Sequence, residues 1–293
     1  MSSPNTPKDG QVETTGHVWD EDLEEFNNPL PRWWLWTFYI TIVWGIAYTI
    51  AYPAWPLISQ ATPGLLGYST RAEVAAEIAR VESANAGIEQ RLVDAELTAI
   101  TADPELNQFA LNAGAAVFRT NCSQCHGAGA AGVQASGYPN LLDDDWLWGG
   151  DIEAIHTTVS HGIRNDLDPD ARFSEMPAFA DVLSAEEIAQ TAEYVLSLSG
   201  QEHDAALAAA GETLFLDNCA SCHGDAGEGI RDLGAPTLND AIWLYGGSRE
   251  AIASQIGAPR NGVMPAWNQR LTEAQIRAVA TYVHGLGGGE TLE

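Results

Sequence analysis

The heptapeptide Asn-Cys-Ser-Gln-Cys-His-Gly at residues 121–127 returns as Asn-Cys-Ala-Ser-Cys-His-Gly at residues 218–224, 97 positions later. These two strings hold all four cysteines of the chain, Cys122, Cys125, Cys219 and Cys222, and each pair runs directly into a histidine, His126 or His223. A disulfide or a redox dithiol would use the cysteines but leave the histidines without a role, and zinc ligation is the other use of such residues. Cys-x-x-Cys-His is the attachment signature of c-type haem. On a helical turn its three side chains, at i, i+3 and i+4, face one side. One flat ligand can then meet both sulfurs through thioether bonds and the imidazole through its iron. The expected cofactors are two covalently bound haem c groups.

The motifs belong to a longer internal repeat. Trp146-Leu147-Trp148-Gly149-Gly150 matches Trp243-Leu244-Tyr245-Gly246-Gly247 at the same 97-residue offset. Met176-Pro177-Ala178-Phe179 matches Met264-Pro265-Ala266-Trp267 at an offset of 88, so the first copy holds nine extra residues before its methionine. The Trp-Leu-aromatic-Gly-Gly segments read as core packing ahead of a glycine turn. Each copy closes with a helix pattern opened by a capping box, Ser184 with Glu187 and Thr272 with Gln275. Glycines at 200 and 285 to 289 end these helices and suggest a boundary near residue 200.

A haem that passes electrons needs a sixth iron ligand, and methionine is a common one. Beyond Met1 the chain has only Met176 and Met264, in matching contexts, and both are candidate iron ligands with His126 and His223. Met176 is assigned to the first haem over His161 because it has an aligned partner in Met264, while whether each methionine ligates the haem of its own repeat stays open at this point. His161 and His156 face Ala258 and Ala253 in the second copy, and both are expected to be hydrogen-bonding histidines. His203 and His284 lie outside the motifs.

Residues 1–32 are polar and acidic and read as a poorly ordered tail. Residues 33–52 then carry no charge. Twenty residues at helical rise span about 30 Å, the depth of a bilayer core. Trp33, Trp34 and Trp36 flank one end, with Tyr48, Tyr52 and Trp55 at the other, in the manner of interfacial belts. A buried core helix would be shorter and carry a polar face, and a signal peptide would show a small-residue cleavage site. Arg32 before the span places the tail in the cytoplasm, and haem attachment puts the motifs on the other side. Tyr39 and Tyr48 inside the span suggest neighbouring transmembrane helices. Residues 53–104 read as a linker with an amphipathic helix over 70–100, opened by a Thr70/Glu73 capping box. Asp103 and Pro104 start the next helix. The expected fold class is all-α, one N-terminal transmembrane helix followed by two tandem cytochrome c domains over 105–200 and 201–293.

Forty acidic residues against 13 basic ones give a net charge of −27, which argues against nucleic acid as a partner. It suits a cationic donor protein or simply keeps the chain soluble.

The strings Thr14-Thr15-Gly16-His17-Val18-Trp19-Asp20 and Asn27-Asn28-Pro29-Leu30-Pro31-Arg32-Trp33-Trp34, ahead of one span and two haem motifs, resemble the dihaem subunit III of cbb3-type cytochrome c oxidases. The resemblance covers essentially the whole chain. It implies an electron-transfer subunit of a respiratory, proton-transporting oxidase in a bacterial inner membrane, with the haem domains in the periplasm. Its implied partners are a donor cytochrome c, a monohaem cytochrome subunit and a catalytic haem-copper subunit where oxygen is reduced. A free-standing membrane-tethered shuttle and a dihaem peroxidase are the alternatives. The peroxidase would need an open or displaceable iron position.

Overall fold

The computed structural model describes residues 13–291 and is almost entirely helical. It divides into two units, residues 1–82 and 83–293. In the first, the segment expected to be a loose tail contains an antiparallel hairpin, β1 (Thr14–Trp19) with β2 (Leu23–Phe26). Asp20 and Glu21 turn the chain in the left-handed region, at φ 51° and 75°. Asp is one of the few residues with a side chain that tolerates this.

Helix α1 (Arg32–Ala51) follows, within a residue of the expected span. None of its residues is buried, so it is no core helix. Its threonines turn their hydroxyls back onto its own carbonyls, Thr37 to Trp33 O at 3.0 Å and Thr41 to Phe38 O at 2.7 Å. That is the way a helix in lipid satisfies polar groups. It is long and apolar enough to cross a membrane.

Helix α2 (Thr70–Asp94) begins one residue earlier than the expected cap allows. Ser69 Oγ accepts from Ala72 N at 3.3 Å, so Ser69 takes the capping place given above to Thr70. In the second unit its Leu92 joins Ile100, Leu106, Ala110 and Ala278 in a fully buried cluster.

Helix α3 (Pro104–Val117) starts as the sequence predicts, with the Asp103 carboxylate accepting from Glu105 N and Leu106 N. A wide π-helical turn, Phe118–Cys122, leads into α4 (Ser123–His126), the first haem motif. Such turns concentrate at functional sites. Helix α5 (Ile152–His161) completes the first run. The second run is α6 (Ala185–Leu198), α7 (Ala205–Asn218), α8 (Ala220–His223), which holds the second motif, and α9 (Arg249–Gly257). Helix α10 (Glu273–His284) closes the chain. Both predicted capping boxes are present, Ser184/Glu187 on α6 and Thr272/Gln275 on α10.

The helices form two cytochrome cores, and each draws on both sequence repeats. Helices α3 and α5 pack on α10, whereas α7 and α9 pack on α6. Phe118 meets Tyr282 with ring centroids 5.6 Å apart, and its counterpart Phe215 meets Tyr194 at 5.2 Å. The closing helices are exchanged. In chain order, the second core is therefore one continuous stretch that begins with its methionine segment. The first core is interrupted by it. The boundary expected at residue 200 falls between α6 and α7, inside the second core.

Candidate haem sites

In the first core Cys122, His126, Phe118, Trp146, Val279 and Met264 line one cavity. In the second, Cys219, Cys222, His223, Phe215, Trp243 and Met176 line another. Each cavity thus gathers a haem motif from one repeat and the methionine of the other. The structure brings Met264, not Met176, to Cys122 and His126. The sequence-based assignment of Met176 to the first haem is corrected accordingly. The reason is packing: Met176 and Met264 precede α6 and α10, and they travel with those helices.

All four cysteines are free thiols. Burial first, then the neighbouring thiol, pushes Cys122 and Cys219 up to about 11. They remain protonated, uncharged sulfurs against apolar walls. His126 Nδ1 lies 3.2 Å from Pro139 O, and His223 Nδ1 lies 3.0 Å from Pro236 O. With Nδ1–H donating to a carbonyl, Nε2 keeps its lone pair for a metal. Burial lowers the pKa of both imidazoles, the carbonyl bond opposing it, which favours the neutral ligand form. Motif cysteines, Cys122 in the first cavity and Cys219 with Cys222 in the second, together with an oriented imidazole and a thioether in a largely apolar, aromatic-lined cavity, fit a covalently attached haem. Pro139 and Pro236 each stand 13 residues after a haem-motif histidine, a regularity that could have marked them in the sequence.

The other histidines are engaged elsewhere. His161 Nδ1 lies 3.3 Å from the buried Asp168 carboxylate, which also accepts from Asn268 Nδ2 at 2.5 Å. His156 Nε2 faces Glu273 Oε1 at 3.1 Å. His203 and His284 contact the backbone carbonyls of Gln201 and Glu290. None of the four lines either cavity.

The aromatic segments wall the cavities and lock the cores together. Trp146 donates from Nε1 to Gly288 O at 2.6 Å, which fixes the C-terminal stretch beside the first cavity. Tyr245 covers Gly137, and its counterpart Trp148 covers Gly234, each ring reaching across to the other motif's loop. Leu147 lines both cavities.

The chain matches two family models: the N-terminal domain of cytochrome oxidase-cbb3, FixP, over residues 11–59, and cytochrome c oxidase, cbb3-type, subunit III, over 109–195 and 206–283. It is 65% identical over 289 residues to the cbb3-type cytochrome c oxidase subunit CcoP of Cereibacter sphaeroides, covering 98% of this chain and 99% of that relative. It is 55% identical over 298 residues to CcoP of Rhodobacter capsulatus, covering 98% and 99%. Identity to the subunit FixP of Sinorhizobium medicae is 52% over 279 residues, covering 95% and 96%. With most of both cytochrome cores and the N-terminal segment matched, this chain belongs to the subunit III family of cbb3-type cytochrome c oxidases.

Proposed function

We propose that the chain is the dihaem electron-transfer subunit of its oxidase, taking electrons from a donor cytochrome c and passing them towards the catalytic subunit. The observation that carries this reading is the pair of cavities that each join a motif cysteine and histidine of one repeat to the methionine of the other, Cys122, His126 and Met264 in the first and Cys219, Cys222, His223 and Met176 in the second. Bound haem supplies reversible one-electron chemistry at iron. The protein's part is to hold it: Cys122 and Cys125 would attach one group, and Cys219 and Cys222 the other. His126 and Met264 would hold the first iron, and His223 and Met176 the second.

The oxygen-reducing site is assigned to another subunit. The N-terminal span anchors the chain in a bacterial inner membrane, with the tail cytoplasmic and both haem cores periplasmic. Its other partners are the haem-copper and monohaem cytochrome subunits. A methionine in each cavity counts against the peroxidase reading, which needs one iron with a displaceable ligand.

The test is gentle detergent extraction followed by native separation. Covalent haem stain on this chain should migrate with oxygen-reducing cytochrome c oxidase activity, and acid-acetone should leave two haems per chain attached. Haem removed by acid-acetone, or a dihaem chain that always migrates apart from the oxidase, would contradict the proposal.

A further inference from the structure

The two cavities are near copies in their ligand sets but differ in the charge on their walls. Asp145 is the charged side chain on the first wall, and its counterpart at the 97-residue offset on the second wall is Ile242. Asp143, Asp144 and Asp240 surround Asp145, and Arg231 is the cation acting on it. Arg231 is itself held by both carboxylate oxygens of Glu290. Burial, then these acidic neighbours, pushes the Asp145 carboxyl up to about 6. Above that pH it is an anion facing the cavity.

The second wall carries Arg164 and Arg260 against a single carboxylate, Glu175. Arg164 donates from Nε to Gly262 O at 2.6 Å and from Nη1 to Ser174 O at 2.7 Å. Arg260 stacks over the Tyr245 ring with its guanidinium carbon 4.3 Å from the centroid. Among the described residues neither has an acidic oxygen within 4.0 Å. Arg164 also sits in the left-handed region at φ 50°, a backbone state that residues with side chains seldom hold. A guanidinium keeps its charge even when partly desolvated. Two cations against one carboxylate therefore give this cavity a net positive wall in a chain of net charge −27.

Haem brings two propionate carboxylates to each site. Arg164 and Arg260 would offset them in the second, whereas Asp145 would add to them in the first, where Arg172, the counterpart of Arg260, stacks behind the Trp148 ring at 5.7 Å and has Asp151 and Asp232 acting on it. Nearby positive charge favours the iron that has gained an electron, and negative charge favours the ferric state. We infer that Arg164 and Arg260 make the second haem the higher-potential one and Asp145 makes the first the lower, so that electron transfer from the first haem to the second is downhill. This rests on the two-haem reading above.

Anaerobic potentiometric titration of the full-length chain in detergent, at about pH 8 so that Asp145 is ionised, tests it. Two components are expected. Asp145→Asn should raise the lower one and leave the upper in place. Arg164→Gln and Arg260→Gln should each lower the upper one alone, while Arg164→Lys should leave it unmoved. A lower component that ignores Asp145→Asn, or arginine variants that shift the lower component, would overturn the inference. Should the arginine variants lose their haem, Asp145→Asn alone decides. Covalent haem staining and the far-red band of methionine-ligated ferric haem report separately on the two-haem reading, so the two can fail independently.

Discussion

Ile163 and Met264, in different repeats, exchange both backbone hydrogen bonds: Ile163 N to Met264 O at 2.9 Å and Met264 N to Ile163 O at 3.0 Å. This is where the chain leaves the first core and where it comes back. Between them lies the whole second core, from Met176 through α6, α7, α8 and α9. Residues 170–262, exported to a compartment that attaches haem c, should therefore yield one covalent haem with the far-red methionine band. Residues 201–293, one sequence repeat, should attach haem without that band. Visible spectra of the two purified fragments check this.

Gly114 on α3 and Gly211 on α7 stand at the exchanged helix crossings. A Cβ on Gly211 would run into the carbonyl of Gln190 on α6, and one on Gly114 into that of Ala278 on α10. In an open helix Gly→Ala gains about 1 kcal/mol. Overpacking costs about 1 to 3 kcal/mol. Gly211→Ala and Gly114→Ala should each destabilise the protein by up to about 2 kcal/mol net, read as an earlier denaturant midpoint. A gain in stability would mean that the crossings are looser than described.

Glu193 is buried at the α6–α7 junction, where it accepts from Asp204 N at 2.7 Å and pairs with Arg249. The Arg249 hydrogen bond, ahead of the α7 N-terminus, holds its carboxyl below the usual glutamate value. A depressed carboxylate stabilises the fold above its unfolded pKa, and that contribution is lost as pH falls through the folded value. Glu193→Gln should cost about 1 to 3 kcal/mol at pH 7. The difference from the unmodified chain should shrink below about pH 4, in urea melts run at both pH values.

Residues 105–200 carry 14 acidic and 3 basic residues, and residues 201–293 carry 12 and 5. Exposed charges are screened over about 8 Å at physiological ionic strength. Reduction by a cationic cytochrome should slow several-fold as salt rises, measured by stopped flow. A rate indifferent to salt would leave the acidity as a solubility feature.

Much of this was legible in the sequence. The haem motifs, the span, the Asp103 cap and both closing capping boxes follow from spacing and local chemistry, because each is decided within a few residues. Two larger features were not. The hairpin at Thr14–Phe26 has the polar composition of a loose segment, and its pairing depends on a turn through Asp20 and Glu21. The exchange of methionines was hidden because equal repeats fit either pairing. One clue was present: only residues 199–204 separate α6 from α7. A connection that short favours antiparallel packing of the two neighbours, which carries Met176 into the second core.

The central claim is that each methionine serves the other repeat's haem motif. With Cys219→Ala and Cys222→Ala removing the second haem, the remaining ferric chain should keep its far-red methionine band when Met176→Leu is added. It should lose the band with Met264→Leu. Loss with Met176→Leu and retention with Met264→Leu would mean that each methionine serves its own repeat, and would contradict the exchanged architecture.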